Sequence, residues 1–266
     1  PAGQQREAEL VDFCHETGLM VCGPNCIGVA NLLNAVATYS VAMSPRTHSG
    51  PVSAVVQSGA ICLGLANAAR FGFRYLISSG NEAVLDSADY IGYLAHDEHT
   101  KVIVAFLEGI PQPEKFIVAA EAAASRGKPI LAVKVGRSEM ARRTVQAHTG
   151  SLAGSDRVVD AAFKQLGVRR FDTLDELVEA AKLFATCRVP DGQGVGLLSL
   201  SGGQIGLIAD LAQDLGLQFP SFSEMGRGAL VDILPPFSQV ANPLDAWGSG
   251  DLEATYPKCV DVVSAE

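Results

Sequence analysis

The chain has 266 residues, 48% hydrophobic and 18% charged, a length that suggests about two domains, each with a core of its own. A formal net charge of −9, without a basic stripe carrying interleaved aromatics, excludes a nucleic-acid binder. Mean hydropathy is +0.21, yet no apolar stretch approaches the ~20 residues of a membrane span, so the apolar excess belongs in buried strands rather than in a bilayer.

The chain opens without Met on Pro1-Ala2-Gly3. An amphipathic helix pattern through His15 and a short strand at 19–22 follow, which reads as the end of a domain begun earlier in a longer polypeptide. The run 52–56 is an apolar strand that meets Gln57-Ser58-Gly59-Ala60 and continues as a helix to about residue 71. Strands at 102–107 and 129–135 are near-continuous apolar runs around a helix at 113–126, the pattern of strands buried on both faces of a parallel sheet. A helix at 156–166, a strand at 168–171 and a helix at 174–187 complete this domain, and the Gly-rich stretch 188–194 is a linker. The strand-turn-helix grammar then repeats, from 195 through Ser201-Gly202-Gly203 to about residue 215. Asn81-Glu82 and Asn242-Pro243 extend the likeness, so the second stretch reads as a related α/β domain, cut short at the end of the chain.

In open α/β sheets ligands bind outside the carboxyl ends of the strands. Both Ser-Gly turns occupy that position, where unsatisfied helix N–H groups carry positive charge and can hold a phosphate without lysine. Alone, such a turn is also an ordinary tight connection. Glu108 ends the apolar strand 102–107 and projects toward the same rim, where it is either a solvated strand-end glutamate or a hydrogen-bond acceptor for an imidazole. His148 lies in Gln146-Ala147-His148-Thr149-Gly150-Ser151-Leu152-Ala153-Gly154, a loop of small residues that gives an imidazole little to pack against. It is either a solvated histidine ahead of a helix or a nucleophile carried on a loop that can move.

The six cysteines, Cys14, Cys22, Cys26, Cys62, Cys187 and Cys259, contain no Cys-x-x-Cys pair, and neither His nor Cys lies near enough to complete a metal site with Cys22 and Cys26. Reduced thiols in a cytoplasmic protein, and no metal, are expected.

Several segments resemble, in order, the nucleoside-diphosphate-forming (ADP-forming) acyl-CoA synthetases, relatives of succinyl-CoA synthetase. They are Gly23-Pro24-Asn25-Cys26-Ile27-Gly28, Gln57-Ser58-Gly59-Ala60, Ser79-Gly80-Asn81-Glu82-Ala83, Leu107-Glu108-Gly109, Lys134-Val135-Gly136-Arg137 and His148-Thr149-Gly150-Ser151-Leu152-Ala153-Gly154. The resemblance implies an α/β chain with two flavodoxin-like, doubly wound parallel-sheet domains. These would be a phosphohistidine-bearing domain at 29–188 and a second, truncated domain at 194–266, preceded at 1–28 by the tail of a CoA-binding Rossmann-like domain. It implies that His148 is phosphorylated, that Glu108 steadies it, and that Ser58, Gly59 and Ala60 together with Ser201, Gly202 and Gly203 embrace the phosphate. Gly23, Pro24, Asn25 and Cys26 would lie near CoA, and Gly150 and Gly154 would let the loop swing. The implied substrates are ATP with its Mg counter-ion, CoA and a carboxylic acid, with phosphate released; an ATP-grasp domain or subunit, in cis or in trans, and oligomerisation are implied as well. One departure is that Val84-Leu85 precedes Asp86, where family members often carry an acidic residue. Two other classes compete: an acyl-CoA-responsive regulatory module beside a protein acetyltransferase, and a non-catalytic flavodoxin-like binding module.

Overall fold

A computed structural model describes residues 2–68, 70–141, 155–188, 192, 194–247 and 251–266. The chain divides into two compact units, Pro1–Arg188 and Val189–Glu266.

The first unit begins with α1 (Ala2–Thr17), followed by the hairpin β1 (Gly28–Asn31) and β2 (Val36–Tyr39). The alternation β3 (Ser49–Val56), α2 (Gly59–Ala68), β4 (Phe73–Ser78), α3 (Ser87–His96), β5 (Val102–Leu107), α4 (Pro113–Ala124) and β6 (Ile130–Lys134) comes next. Then α5 (Asp156–Leu166), β7 (Arg169–Phe171) and α6 (Leu174–Thr186) close the unit. The strands form one seven-stranded sheet in the order β2-β1-β4-β3-β5-β6-β7. From β4 to β7 every pairing is parallel, and the chain runs from β3 to β4 on one side and then to β5 on the other, the flavodoxin type of order.

Successive side chains of a strand point to opposite faces, and both faces here are covered. Val52, Ala54 and Val56 of β3 pack with Cys62 and Leu65 of α2 and Leu177 and Ala181 of α6. Val55 of β3 and Ile103 and Ala105 of β5 pack instead with Ile91 and Leu94 of α3, Phe116 and Ala119 of α4 and Phe163 of α5. Burial on both sides is why β3, β5 and β6 read as uninterrupted apolar runs.

Two expectations about the first unit are corrected. The sheet is mixed rather than wholly parallel, because the β1–β2 hairpin adds to the β4 edge with β1 antiparallel to β4. Residues 19–22 form no strand. Their stretch of backbone, continued to Pro24, bonds to a loop instead, with Val21, Gly23 and Pro24 carbonyls accepting from the Leu85, Ala83 and Asn81 N–H groups at 3.2, 3.0 and 2.9 Å. β4 itself carries a charge at its second residue. Arg74 is buried, and its guanidinium lies 2.9 Å from Asp97 Oδ1 and stacks 4.4 Å from the Tyr75 ring centroid. This pair sits at the amino end of the sheet, away from the rim where ligands bind, and its role is to hold β4 to the end of α3.

The second unit contains α7 (Gly202–Asp214), α8 (Glu224–Ile233) and α9 (Leu252–Ala265) around a two-stranded parallel sheet of β8 (Leu198–Ser199) and β9 (Leu244–Asp245). Leu230, Leu234, Leu244, Ala246 and Cys259 form its core. The strand expected from 195 is thus reduced to two residues, because the Leu197 N–H bonds to the Asn242 side chain and the Val195 N–H to the Gln218 carbonyl. The likeness of Asn81 to Asn242 is not a structural equivalence either. Asn81 follows β4 at its carboxyl end, whereas Asn242 precedes β9.

Candidate functional site

In a sheet of this order the chain leaves β3 for opposite sides, so the loops after β3 and β5 diverge and leave a crevice at their carboxyl ends. Gln57 stands at that point, immediately after β3, and is buried. Its Nε2 donates to the Gly109 carbonyl at 3.0 Å, and its Oε1 accepts from the N–H groups of Glu108 and Gly109, the latter at 3.0 Å. One amide thus ties the end of β3 to the end of β5.

Ser58 and Gly59 follow directly, where α2 starts, and the Ser58 carbonyl accepts the Cys62 N–H at 3.0 Å. Gly59 packs toward Ile27, so that a Cβ there would lie 3.2 Å from the Ile27 Cγ2, while Ala60 is exposed. The first N–H groups of α2 therefore face the rim from a closely packed turn. Glu108 is half-buried across the crevice, with its carbonyl accepting the Lys134 ammonium at 2.9 Å. Lys134 also donates to the Val135 carbonyl at 2.6 Å, and burial pushes its ammonium below the ordinary lysine range.

Gly23, Pro24, Asn25 and Cys26 lie against the loop after β4. Asn25 Nδ2 donates to Asn81 Oδ1 at 3.2 Å, and the Ile27 N–H donates to the Ser78 hydroxyl at 3.2 Å. Gly80 makes this contact possible, because it has φ +63° and a Cβ on it would stand 2.2 Å from the Pro24 carbonyl oxygen. Burial raises the Cys22 thiol to about 11, so it stays protonated near neutrality and is a poor nucleophile.

The structure thus gathers Ser58, Gly59, Glu108 and the Gly23 to Cys26 segment onto neighbouring strand ends of the first unit. In the second unit Ser201 caps α7, its side chain accepting the Gln204 N–H at 3.4 Å, and Gly202 and Gly203 form the first turn. Gly202 faces Asp245, whose Oδ2 would lie 3.4 Å from a Cβ at that position. His148, Gly150 and Gly154 lie outside the described residues. Among the described residues no group of three His, Cys, Asp or Glu could hold a metal ion, and no helix is long and apolar enough to cross a membrane.

Two features of the rim were not singled out from the sequence. Glu82, in the loop after β4, is buried with φ +58°, and its carboxylate accepts from the Ser79 hydroxyl at 2.7 Å, the Gln57 amide at 2.8 Å and the Ser87 hydroxyl at 3.3 Å. Burial raises its pKa to about 7, against the pull of those hydrogen bonds and with the nearby Asp86 charge adding to the rise. The signal for it was a charged residue in Ser79-Gly80-Asn81-Glu82-Ala83, two positions after a glycine that must turn tightly. The second feature is a cavity of about 190 Å³ between α4 and α5, lined by Ile110, Phe116, Val158 and Phe163 together with Gly109 and Lys134.

Residues 49–184 match the succinyl-CoA ligase like flavodoxin domain. The chain belongs to that family. The matched stretch runs from the start of β3 into α6 and so contains both Gln57 and Glu108. This family member is similar to the acetate–CoA ligase [ADP-forming] II subunit alpha of Pyrococcus furiosus, with 37% identity over 96% of this chain and 55% of that protein. It is also similar to the 4-hydroxybutyrate–CoA ligase [ADP-forming] of Nitrosopumilus maritimus, with 33% identity over 94% of this chain and 36% of that protein. Among solved structures, the dinucleotide-forming acetyl-coenzyme A synthetase 1 of Ca. Korarchaeum cryptofilum, in complex with phosphate and ADP, superposes with a TM-score of 0.83. It is 30% identical and matches 92% of this chain and 53% of that one. The chain spans 36% to 55% of the length of these curated relatives.

Proposed function

We propose that this chain is the phosphoryl-carrier portion of an ADP-forming acyl-CoA synthetase. In this reading a His148 ring nitrogen attacks the γ-phosphorus of ATP and ADP leaves. A carboxylate oxygen of the acid then attacks the phosphorus of the phosphohistidine and frees the imidazole. Finally the CoA thiol, giving up its proton, attacks the acyl carbon and releases phosphate, leaving the acyl-CoA. Glu108 accepts a hydrogen bond from the second imidazole nitrogen and so directs the first toward phosphorus. The α2 N-terminus at Ser58 and Gly59 offers N–H donors to the phosphoryl oxygens, and the reading counts Ser201, Gly202 and Gly203 as further phosphate-binding residues.

The observation that supports this reading is the crevice after β3 and β5, where Gln57 ties the start of α2 to the backbone of Glu108. An anion-binding helix end and a carboxylate are thereby presented at one switch point, as a histidine carrying a phosphoryl group requires. The reading assigns 1–28 to the end of a CoA-binding domain, 29–188 to the carrier domain and 194–266 to the start of a second ligase domain. It places the enzyme in the cytoplasm and calls for an ATP-grasp domain or subunit, with Mg and ATP, to charge the histidine. Relatives named for acetate, 4-hydroxybutyrate and trans-ferulate support a carboxylic acid as the substrate class.

The experiment is to incubate the full-length protein, with its nucleotide-binding part, with γ-labelled ATP. Acid-labile, base-stable label that is absent from His148→Asn is the expected result. ADP-forming ligase activity that survives His148→Asn overturns the carrier role.

A further inference from the structure

The amide of Gln57 has two donor protons and two acceptor lone pairs, and all four are engaged. Nε2 donates to Glu82 Oε2 at 2.8 Å and to the Gly109 carbonyl at 3.0 Å, while Oε1 accepts from the N–H groups of Glu108 and Gly109. The orientation of the amide follows from these partners. Turned over, it would face its NH2 toward two N–H donors and its oxygen toward a carboxylate and a carbonyl, losing all four bonds in a buried place where water cannot replace them.

Of the groups bonded to that amide, three belong to the backbone of the β5 end and one is a side chain, Glu82. Glu82 is held in turn by Ser79 and Ser87, on a backbone with φ +58°, a conformation unfavourable for a residue with a Cβ. A buried carboxylate on a left-handed backbone is an expensive way to fill space, and such outliers persist where a site requires them. What this one accomplishes is visible in the bonding. It fixes Gln57, and Gln57 fixes the backbone from which the Glu108 side chain projects.

We propose that Glu82 is a positioning residue which acts through Gln57 to set the backbone of Glu108, and so the place where the Glu108 carboxylate meets the histidine. This deepens the function proposed above and rests on it. The three strand ends at the rim, after β4, β3 and β5, become one braced unit running Glu82, Gln57, Glu108. The Ser58 and Gly59 turn is the direct continuation of its middle member, so the brace registers the carboxylate against the phosphate-binding helix end. A misplacement of about 1 Å in such a constellation is enough to slow reaction about 100-fold.

The test uses the full-length protein with its nucleotide-binding part, and follows in single turnovers the labelling of the histidine by γ-labelled ATP and the removal of that label by ADP. Neither step requires the carboxylic acid. Glu82→Ala slows both steps by about 10–100-fold, with the apparent KM for ATP within about twofold of the parent. Glu82→Gln, which keeps an acceptor for Gln57 Nε2, recovers most of that loss. In a Glu108→Gln background, Glu82→Ala causes no further loss, because its effect is transmitted through the residue already removed. If Glu82→Ala does not fold, Gln57→Asn carries the same test, since the amide is kept but is too short to span the strand ends. Labelling of Glu82→Ala or of Gln57→Asn at the parent rate overturns the proposal, and so does a loss that adds in full to that of Glu108→Gln. A parent protein that takes no label overturns the carrier function itself and this inference with it, whereas a labelled parent with unaffected variants overturns this inference alone.

Discussion

Replacing Glu82 by glutamine removes a proton-binding group that the native protein and the unfolded chain treat differently. Burial, the largest influence, raises its carboxyl from 4.5 to about 7, although Ser79, Gln57 and the Ser87 N–H pull in the other direction. The Asp86 charge beside it adds to the rise, while Cys22 and Tyr90, which face it from adjacent segments, stay protonated and neutral through this range. Between these two pH values the unfolded chain has released its proton while the native protein still holds one, so stability falls as pH rises through the window. Below pH 4.5 both states are protonated and the group is neutral to stability, whereas above pH 7 the whole cost of a buried charge is present. The interval corresponds to about 3 kcal/mol. Glutamine at this position has the same shape and no proton to lose. The assay is urea unfolding followed by far-UV circular dichroism, at intervals from pH 4.5 to 8, on the parent and on Glu82→Gln. Other titrating groups contribute equally to both proteins and cancel in the difference. The stability of the parent relative to the variant should therefore decline by about 3 kcal/mol across the window. Parallel curves would show that the carboxyl titrates normally, and would refute both its burial as a charge and the sign of its contribution.

Four further outcomes follow from other parts of the structure. Arg74→Leu leaves Asp97 buried without its cation and should cost about 3–5 kcal/mol in urea unfolding. Burial works against the Asp97 charge, but its bonds from Arg74 and Thr100 outweigh that and hold it below its ordinary value of 3.8. The stability it supplies is present above that value and is lost as pH falls through the lower native one, so Asp97→Asn should flatten the acid limb of the stability curve. Phe163→Ala empties a fully buried site where the ring stacks 5.7 Å from Phe116, and should cost about 3–5 kcal/mol by the same measurement. Gly80→Ala forces a Cβ against the Pro24 carbonyl, and hydrogen exchange should show the Asn81, Ala83 and Leu85 amides losing protection ahead of those in β3.

What could be read from the sequence was whatever chain-local patterning encodes. Residues 52–56 of β3 and the whole of β5 and β6 are covered on both faces, and burial of every side chain leaves a largely apolar run that needs no knowledge of partners. β4 is equally buried yet contains Arg74, whose charge is tolerated only because Asp97 lies beside it in space. A charge neutralised 23 residues away breaks the pattern without breaking the strand. The error at 19–22 has the opposite origin. That run is apolar, but Leu19 and Met20 are exposed and its backbone bonds are made to a loop rather than to a ladder, a distinction composition does not carry.

The site divides along the same line. Glu108 was legible because a lone carboxylate directly after an apolar strand must emerge at the strand's carboxyl end, and Ser58 and Gly59 were legible as a strand-to-helix turn. Gln57 was not, because a neutral amide at a strand end is unremarkable until the β5 backbone is brought alongside it. Its four hydrogen bonds depend on the crossing of the chain from β4 back past β3 to β5. Glu82 depends on the same crossing and also on a left-handed backbone that no local pattern predicts for glutamate. Single groups that act by projecting from an element can therefore be found from the element, whereas groups that act by holding two elements together become visible only when topology has placed both. On that account the residues most worth testing at this rim are the ones the sequence alone passed over, since the position of the legible carboxylate is set by an amide and a buried acid that look ordinary one residue at a time.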